Sequence, residues 1–185
     1  MNVIVASGKD GLKLQLKAAV IYDDFDFAAR AAALLERVAV STDEGMKWDV
    51  RPWRIDALRS PSLAGAALDE TLDADLIVVA LGRTHQLPDE LRDWLECWAA
   101  RRRVEDAALL ALCPEETAGP LSSWGRLKEF AEGQGLPFLG SRNLQDDGDS
   151  VDFVSRLWRW KEPVIPMVSR SADRPPAFRD WGINE

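Results

Sequence analysis

Short apolar runs alternate along this chain with longer segments in which apolar residues recur every three or four positions. The apolar runs predict five β-strands, at residues 17–23, 48–55, 76–81, 108–113 and 137–140. The segments that follow them have helical spacing and predict helices at residues 25–40, 61–72, 88–103, 123–133 and 150–160. Strands that alternate with helices are typical of an α/β fold with a mainly parallel sheet.

The composition of individual strands predicts their places in that sheet. Residues 76–81 form a continuous apolar run, which is typical of a central strand covered on both faces. Residues 48–55 alternate between apolar and polar, and they contain Pro52, which cannot donate a ladder hydrogen bond and so indicates an edge strand. With right-handed crossovers, the predicted strand order is 2-1-3-4-5, a three-layer α/β/α doubly wound parallel sheet.

The pattern changes after residue 162. Four prolines between residues 163 and 176 forbid a regular helix, so we predict a domain over 1–162 and an extended C-terminal arm over 163–185. Phe178 and Trp181 lie in the last eight residues, where a disordered tail would be poor in aromatic residues. The arm therefore either docks on its own domain or inserts Phe178 and Trp181 into a protein partner.

Two adjacent carboxylates, Asp23 and Asp24, end the first predicted strand. In an open α/β sheet, this end of the first strand borders the crevice where ligands bind. Carboxylates favour a hard cation, so Asp23 and Asp24 are candidate ligands of Mg²⁺. Acidic residues at the start of a helix also cap its N–H groups, which is the simpler interpretation. No cofactor is expected apart from this candidate Mg²⁺.

Charge and composition exclude several classes of partner. The 185 residues have a formal net charge of −8, which disfavours nucleic acids and anionic membranes because phosphate binding relies on Lys and Arg. No apolar run approaches the roughly 20 residues of a membrane-spanning helix, and the start lacks a signal-peptide pattern. Cys97 and Cys113 lie in patterns typical of a buried helix and a buried strand, and reduced thiols indicate a cytoplasmic protein.

Two residues are weak candidates for catalysis. His85, the only histidine, follows the third predicted strand and could act as a general base, although an exposed loop histidine is the simpler interpretation. Cys113 could in principle pair with His85 as a thiolate nucleophile, but a buried and inert thiol is favoured. The chain has no GxGxxG or GxxxxGK[ST] motif, so dinucleotide and P-loop sites lack support.

Residues 17–160 resemble the receiver domain of bacterial response regulators. An acidic pair that ends the first strand looks like the Mg²⁺-binding start of a receiver, and residues 75–80 look like its third strand. The resemblance implies a phospho-accepting aspartate where this chain has Ala80, and Ser or Thr where it has Cys113. Lys followed by Pro is implied where residues 140–142 read Gly-Ser-Arg. The domain would then be a degenerate receiver that is not phosphorylated in the usual way.

Flavodoxins belong to the same fold class and provide a second comparison. Their phosphate loop after the first strand is rich in Ser, Thr and Gly, which donate hydrogen bonds to phosphate. The corresponding residues here are Asp23-Asp24-Phe25-Asp26, which present negative charge. We therefore do not expect FMN to bind in the flavodoxin mode.

These observations favour binding over catalysis. The leading hypothesis is a non-catalytic, receiver-like interaction module in bacterial signalling or regulation, which acts through a protein partner or self-association. One alternative is a small enzyme or metal-binding domain that uses the acidic crevice at the strand ends. The other is a structural homo-oligomer in which some of the eight tryptophans lie at a two-fold interface.

Overall fold

A parallel five-stranded sheet forms the centre of the molecule. The computed structural model describes residues 15–40, 47–83, 86–113 and 122–141. The strands are β1 (Gln15–Tyr22), β2 (Lys47–Arg54), β3 (Leu76–Ala80), β4 (Ala108–Leu112) and β5 (Phe138–Ser141). They pair in parallel in the order β2-β1-β3-β4-β5. The predicted order and the doubly wound, flavodoxin-like α/β class are confirmed.

Four α-helices connect or flank these strands within the described residues. They are α1 (Phe25–Val40), α2 (Pro61–Thr71), α3 (Asp89–Arg101) and α4 (Ser123–Gly133). A short 3₁₀ helix, Ile55–Arg59, lies between β2 and α2 and was not predicted. Its five residues are too few for a periodic pattern, although Ile55 and Leu58 are both buried. The predicted helix at 150–160 and the arm at 163–185 lie outside the described residues.

The sheet separates two apolar cores because side chains alternate between its faces. Ala19 and Ile21 of β1 face one core, which also contains the buried faces of the 3₁₀ helix, α2, α3 and α4. Ala18 and Val20 face the other core, which α1 covers. Every residue of β3 and β4 is buried, as expected of central parallel strands. Pro52 lies on β2, which pairs with β1 alone among the described strands, so its predicted edge position is confirmed.

Helix α3 is anchored by a buried tryptophan and by an arginine just beyond its C-terminus. Trp98 is fully buried, and its indole N–H donates to the Thr71 carbonyl at 3.0 Å. Arg102 donates to the carbonyl of Ala99 at 2.7 Å, which satisfies a free acceptor of the last helical turn. Cys97 lies on the exposed side of this helix, so its predicted burial is wrong. It follows Glu96, which is also exposed, and precedes the buried Trp98.

Helix α4 packs closely on β5 through Trp124. A Cβ atom added to Gly140 would lie 1.8 Å from Cη2 of Trp124, far inside van der Waals contact. The Trp124 ring also meets Phe138 edge-on, with ring centroids 5.2 Å apart. Gly140 is therefore required by the close approach of the indole ring, which packs α4 directly on the last strand.

We expect Gly140→Ala to lower the free energy of unfolding by about 1–3 kcal/mol or more, because the methyl group would displace the Trp124 ring. Gly65→Ala is the matched control, since an added Cβ at Gly65, within α2, meets nothing within 4 Å. That exchange should stabilise by about 0.5–1 kcal/mol through helix propensity. Urea unfolding of both variants measures the difference, and equal stabilities would contradict the packing described here.

Candidate functional site

Asp23 links the ends of the two strands that flank the crevice. Its carboxylate accepts hydrogen bonds from the backbone N–H of Gly82 at 2.7 Å and from that of Arg83 at 3.1 Å. Its own N–H donates to the Ala80 carbonyl at 3.3 Å. Because β1 and β3 are neighbours at the point where the strand order reverses, this contact crosses the usual ligand-binding position of the fold.

Asp24 caps helix α1. Its carboxylate accepts from the N–H of Asp26 at 2.8 Å, and its carbonyl accepts from the N–H of Ala28 at 3.0 Å. The Arg83 side chain donates to the other carboxylate oxygen at 2.6 Å. The hydrogen bond from Asp26, and then the one from Arg83, hold the pKa of the Asp24 carboxyl below its ordinary value. The capping interpretation thus holds for Asp24.

The start of α1 does not fit the phosphate of a flavin bound in the flavodoxin mode. The carboxylate of Asp24 bonds one N–H of the first helical turn, and the carboxylate of Asp23 bonds two N–H groups after β3. A phosphate placed there would meet two carboxylates and would compete with them for these donors. The assignment of Asp23 and Asp24 as metal ligands stays a prediction. Within the described segments, no cluster of three or more His, Cys, Asp or Glu residues is arranged to hold a metal ion.

A cleft of about 650 Å³ lies beside the acidic pair, at the carboxyl edge of the sheet. The 3₁₀ helix, the start of α3 and the first turn of α4 form its walls together with the end of β1. We call it the arginine cleft, because four arginines line it: Arg54, Arg59, Arg92 and Arg126. Four acidic residues line it as well: Asp23, Asp56, Asp89 and Glu90. Its apolar contribution comes from Tyr22, Ile55, Leu87 and Pro88.

Three of these arginines form ion pairs within the cleft. Arg54 contacts Asp56 at 2.7 Å, and Arg92 contacts Asp89 at 3.0 Å. Arg59 of the 3₁₀ helix donates to Glu90 of α3 at 2.8 Å. The backbone N–H of Glu90 and then the Arg59 guanidinium hold the pKa of the Glu90 carboxyl below its ordinary value. All these side chains retain access to solvent, so the pairs are weak and can exchange partners.

Arg126 is the fourth arginine, and it adds positive charge without a described partner. It lies in the first turn of α4, where Ser122 caps the helix by accepting from the Gly125 N–H at 3.1 Å. Within residues 15–40, 47–83, 86–113 and 122–141, no carboxylate forms an ion pair with its exposed side chain. Arg126 therefore adds a fourth guanidinium to the lining of the cleft.

Of the remaining residues singled out from the sequence, Cys113 and Ala80 lie within the described residues. Cys113 is buried directly after β4, and burial, followed by the negative charge of Asp23, raises the pKa of its thiol to about 12. Ala80 is fully buried at the end of β3, at the position of the receiver phospho-acceptor. His85, Phe178 and Trp181 lie outside the described residues. None of the helices in the described ranges combines the length and apolar character that a membrane crossing requires.

The four cleft arginines were not singled out from the sequence. They come from three separate parts of the chain, and nothing in their local spacing groups them. The available signal was positional. Arg54 is the last residue of β2, and Arg59 ends the 3₁₀ helix that follows it. Arg92 and Arg126 lie in the first turns of α3 and α4. All of these positions are at the carboxyl edge of a parallel sheet.

Comparison with known proteins supports the fold. No family model matches the chain, and no curated protein sequence matches it significantly. The rubredoxin oxygen:oxidoreductase of Desulfovibrio gigas has a similar structure, with a TM-score of 0.52 and 17% sequence identity. That match covers 83% of this chain but only 38% of the oxidoreductase. At this identity the similarity supports the flavodoxin-like fold alone.

Two further structures are similar at lower scores. A flavodoxin-like domain from Synechococcus sp. has a TM-score of 0.49 and 16% identity. An FMN-dependent NADH-azoreductase from Bacillus anthracis, solved in complex with FMN, has a TM-score of 0.45 and 10% identity. Each match covers 80% of this chain and 97% of the other.

These comparisons correct two expectations. The expectation of no cofactor apart from Mg²⁺ is wrong as an inference from the fold, because the structures that resemble this chain include one solved in complex with FMN. The receiver resemblance is confirmed only as far as the shared fold class. Its receiver-specific part has no support from a family model or a sequence match, and the neighbours named above are not receivers.

We expect Asp23→Ala to lower the free energy of unfolding by about 1–3 kcal/mol, because it leaves the N–H groups of Gly82 and Arg83 without their carboxylate acceptor. Asp23→Asn retains one acceptor oxygen, so its free energy of unfolding should fall by less than that of Asp23→Ala. Asp69→Ala is the control, since Asp69 is exposed on α2 and contacts Arg101 at only 3.6 Å. Chemical denaturation compares the three variants. A loss for Asp23→Ala no larger than that for Asp69→Ala would contradict the linking role.

We expect Cys113 to resist alkylation in the folded protein, because it is buried and its raised pKa leaves almost no thiolate near pH 8. Iodoacetamide should modify Cys97, which is exposed. Peptide mass analysis of native and urea-unfolded samples measures the two sites, and Cys113 should react only after unfolding. Equal labelling of both cysteines in the native protein would contradict the burial of Cys113 and reopen its role as a nucleophile.

Proposed function

We propose that this domain binds a small anionic ligand in the arginine cleft. The observation that carries the proposal is the convergence of four guanidinium groups on one cleft at the carboxyl edge of the sheet. In doubly wound folds this edge is where ligands bind. A volume of about 650 Å³ lies within the usual range for small-molecule sites.

The exposure of one ion pair, Arg59 with Glu90, favours an anion at that place, whereas Asp56 and Asp89 are at least as exposed as their arginine partners. In the pair between Arg59 and Glu90, the arginine side chain is 73% exposed and the glutamate side chain only 20%. A ligand approaching from solvent therefore meets the guanidinium first. Guanidinium groups bind phosphate and carboxylate through paired hydrogen bonds, and Arg126 adds one without a described acidic partner. When a phosphate replaces Glu90 on Arg59, the Glu90 carboxylate retains the hydrogen bond from its own backbone N–H.

A flavin mononucleotide is the ligand that the fold neighbours suggest. Its phosphate does not fit the start of α1, but Arg59 and Arg126 could hold it in the arginine cleft. The apolar atoms of Tyr22, Leu87 and Pro88 provide surface for the rest of the molecule. A bound flavin would supply hydride and electron transfer. The domain would contribute binding and orientation, and Asp23 and Asp24 would keep the phosphate away from α1.

A non-catalytic interaction module in bacterial signalling is the second candidate. It is favoured by Ala80, which is buried at the end of β3 and provides no carboxylate for phosphorylation. In this candidate the domain acts through a protein partner or through self-association. It predicts no ligand affinity in the arginine cleft, so the titration below separates the two candidates.

We expect FMN and inorganic pyrophosphate to bind the wild-type protein. Arg59→Gln and Arg126→Gln should each weaken this binding about tenfold, because each variant lacks one charged hydrogen-bond donor. Glu90→Gln should strengthen binding by releasing Arg59 from its ion pair. Arg101→Gln is the control, because Arg101 pairs with Asp69 outside the cleft. Isothermal titration calorimetry measures all five proteins. No binding to the wild type, or equal affinity in the cleft variants and the control, would refute the proposal.

A further inference from the structure

An exposed aromatic ring lies at the rim of the arginine cleft. Phe25 is the first residue of α1, and 63% of it is accessible to solvent. Its ring centroid lies 5.4 Å from that of Tyr22. The guanidinium carbon of Arg54 lies 5.5 Å from the Phe25 centroid, within the range of a cation–π contact. Tyr22 and Arg54 both line the cleft, so Phe25 extends its wall outwards.

The Phe25 ring is held in place although it is exposed. Asp24 caps α1 directly before it, which fixes the backbone at the start of the helix. Arg54 lies over the ring and also contacts Asp56 at 2.7 Å. An ordered aromatic face beside guanidinium groups presents a planar, electron-rich surface next to positive charge. Those two features together match a ligand that combines a flat aromatic ring with an anionic group.

We propose that Phe25 determines the class of ligand, by stacking on a planar aromatic ring whose phosphate is held by the cleft arginines. The ligand class is then a nucleotide or a flavin rather than a simple phosphate or a small carboxylic acid. This inference rests on the proposed function, since it assigns the ring subsite of the same cleft. Phe25 contacts the aromatic ring of the ligand and so determines the selectivity for ring-bearing anions. The arginines contribute affinity for any anion.

The alternative use of Phe25 is a contact with another protein molecule. Exposed aromatic residues are enriched at protein interfaces, and a surface of this kind could dock a second copy of the chain. The charges around it favour the small-ligand assignment. Arg54 already lies over the ring and leads into a cleft with three further arginines, which an apolar protein surface would have to desolvate.

The test compares ring-bearing and ring-free anions on matched variants. Wild-type protein, Phe25→Ala, Phe25→Trp and Leu63→Ala are each titrated with AMP, FMN and inorganic pyrophosphate. Leu63→Ala is the control, because Leu63 is an exposed apolar residue of α2 outside the cleft. Light scattering on the same samples measures the oligomeric state. The ring-bearing ligand that binds more tightly identifies the ring, adenine or isoalloxazine.

We expect AMP or FMN to bind the wild type more tightly than pyrophosphate, and Phe25→Ala to lose about tenfold of that affinity. Phe25→Trp and Leu63→Ala should keep it, and pyrophosphate binding should be the same in all four proteins. If pyrophosphate binds but Phe25→Ala leaves AMP and FMN affinities unchanged, this inference is overturned and the proposed function stands. If Phe25→Ala changes only the oligomeric state, the ring belongs to an interface and the inference is also overturned. Absence of binding by all three probes overturns both.

Discussion

The carboxylate of Asp23 determines which backbone N–H groups at the carboxyl edge of the sheet are open to a ligand. It accepts hydrogen bonds from the N–H groups of Gly82 and Arg83 and so joins the ends of β1 and β3 where the strand order reverses. Ligands of doubly wound folds bind in this crevice, where backbone N–H groups can donate to a ligand anion. Here an acidic side chain of the chain itself is the acceptor. The anionic subsite of the crevice is therefore filled by the fold, and an external anion must bind beside it, where the arginines are.

Most of the fold could be predicted because it depends on local patterns. The burial of β3 and β4 on both faces produces continuous apolar runs, and Pro52 marks the edge strand because it lacks an N–H group. The 3₁₀ helix escaped prediction because its five residues complete no periodic pattern. Cys97 was misplaced because it directly precedes the buried Trp98 in sequence, whereas it lies with Glu96 on the exposed side of the helix.

The site could be predicted only in part, because its contacts join residues that are far apart in sequence. Asp24 as a helix cap follows from its position directly before α1, since its partner is two residues away. The donors to Asp23 lie 59 and 60 residues further along the chain, and no local pattern links them. Arg59 and Glu90 are 31 residues apart. The acidic pair was therefore visible as a motif, whereas the positive charge beside it became visible only when the strands were assembled.

The same contrast explains why fold and function separate in this protein. Receivers and flavodoxins share a strand order, so the order alone does not choose between them. At the end of β3, Ala80 lacks the carboxylate that phosphoryl acceptance requires, and at the start of α1, Asp24 fills the place of a flavodoxin phosphate. Ala80 therefore removes phosphoryl acceptance, and Asp24 removes phosphate binding at the start of α1, although other proteins of this fold class have these activities. What remains at the carboxyl edge is a cleft lined by four arginines, in which Glu90 is largely covered while its partner Arg59 is open to solvent. That asymmetry in one ion pair is the physical reason to look for an anionic ligand beside Arg59.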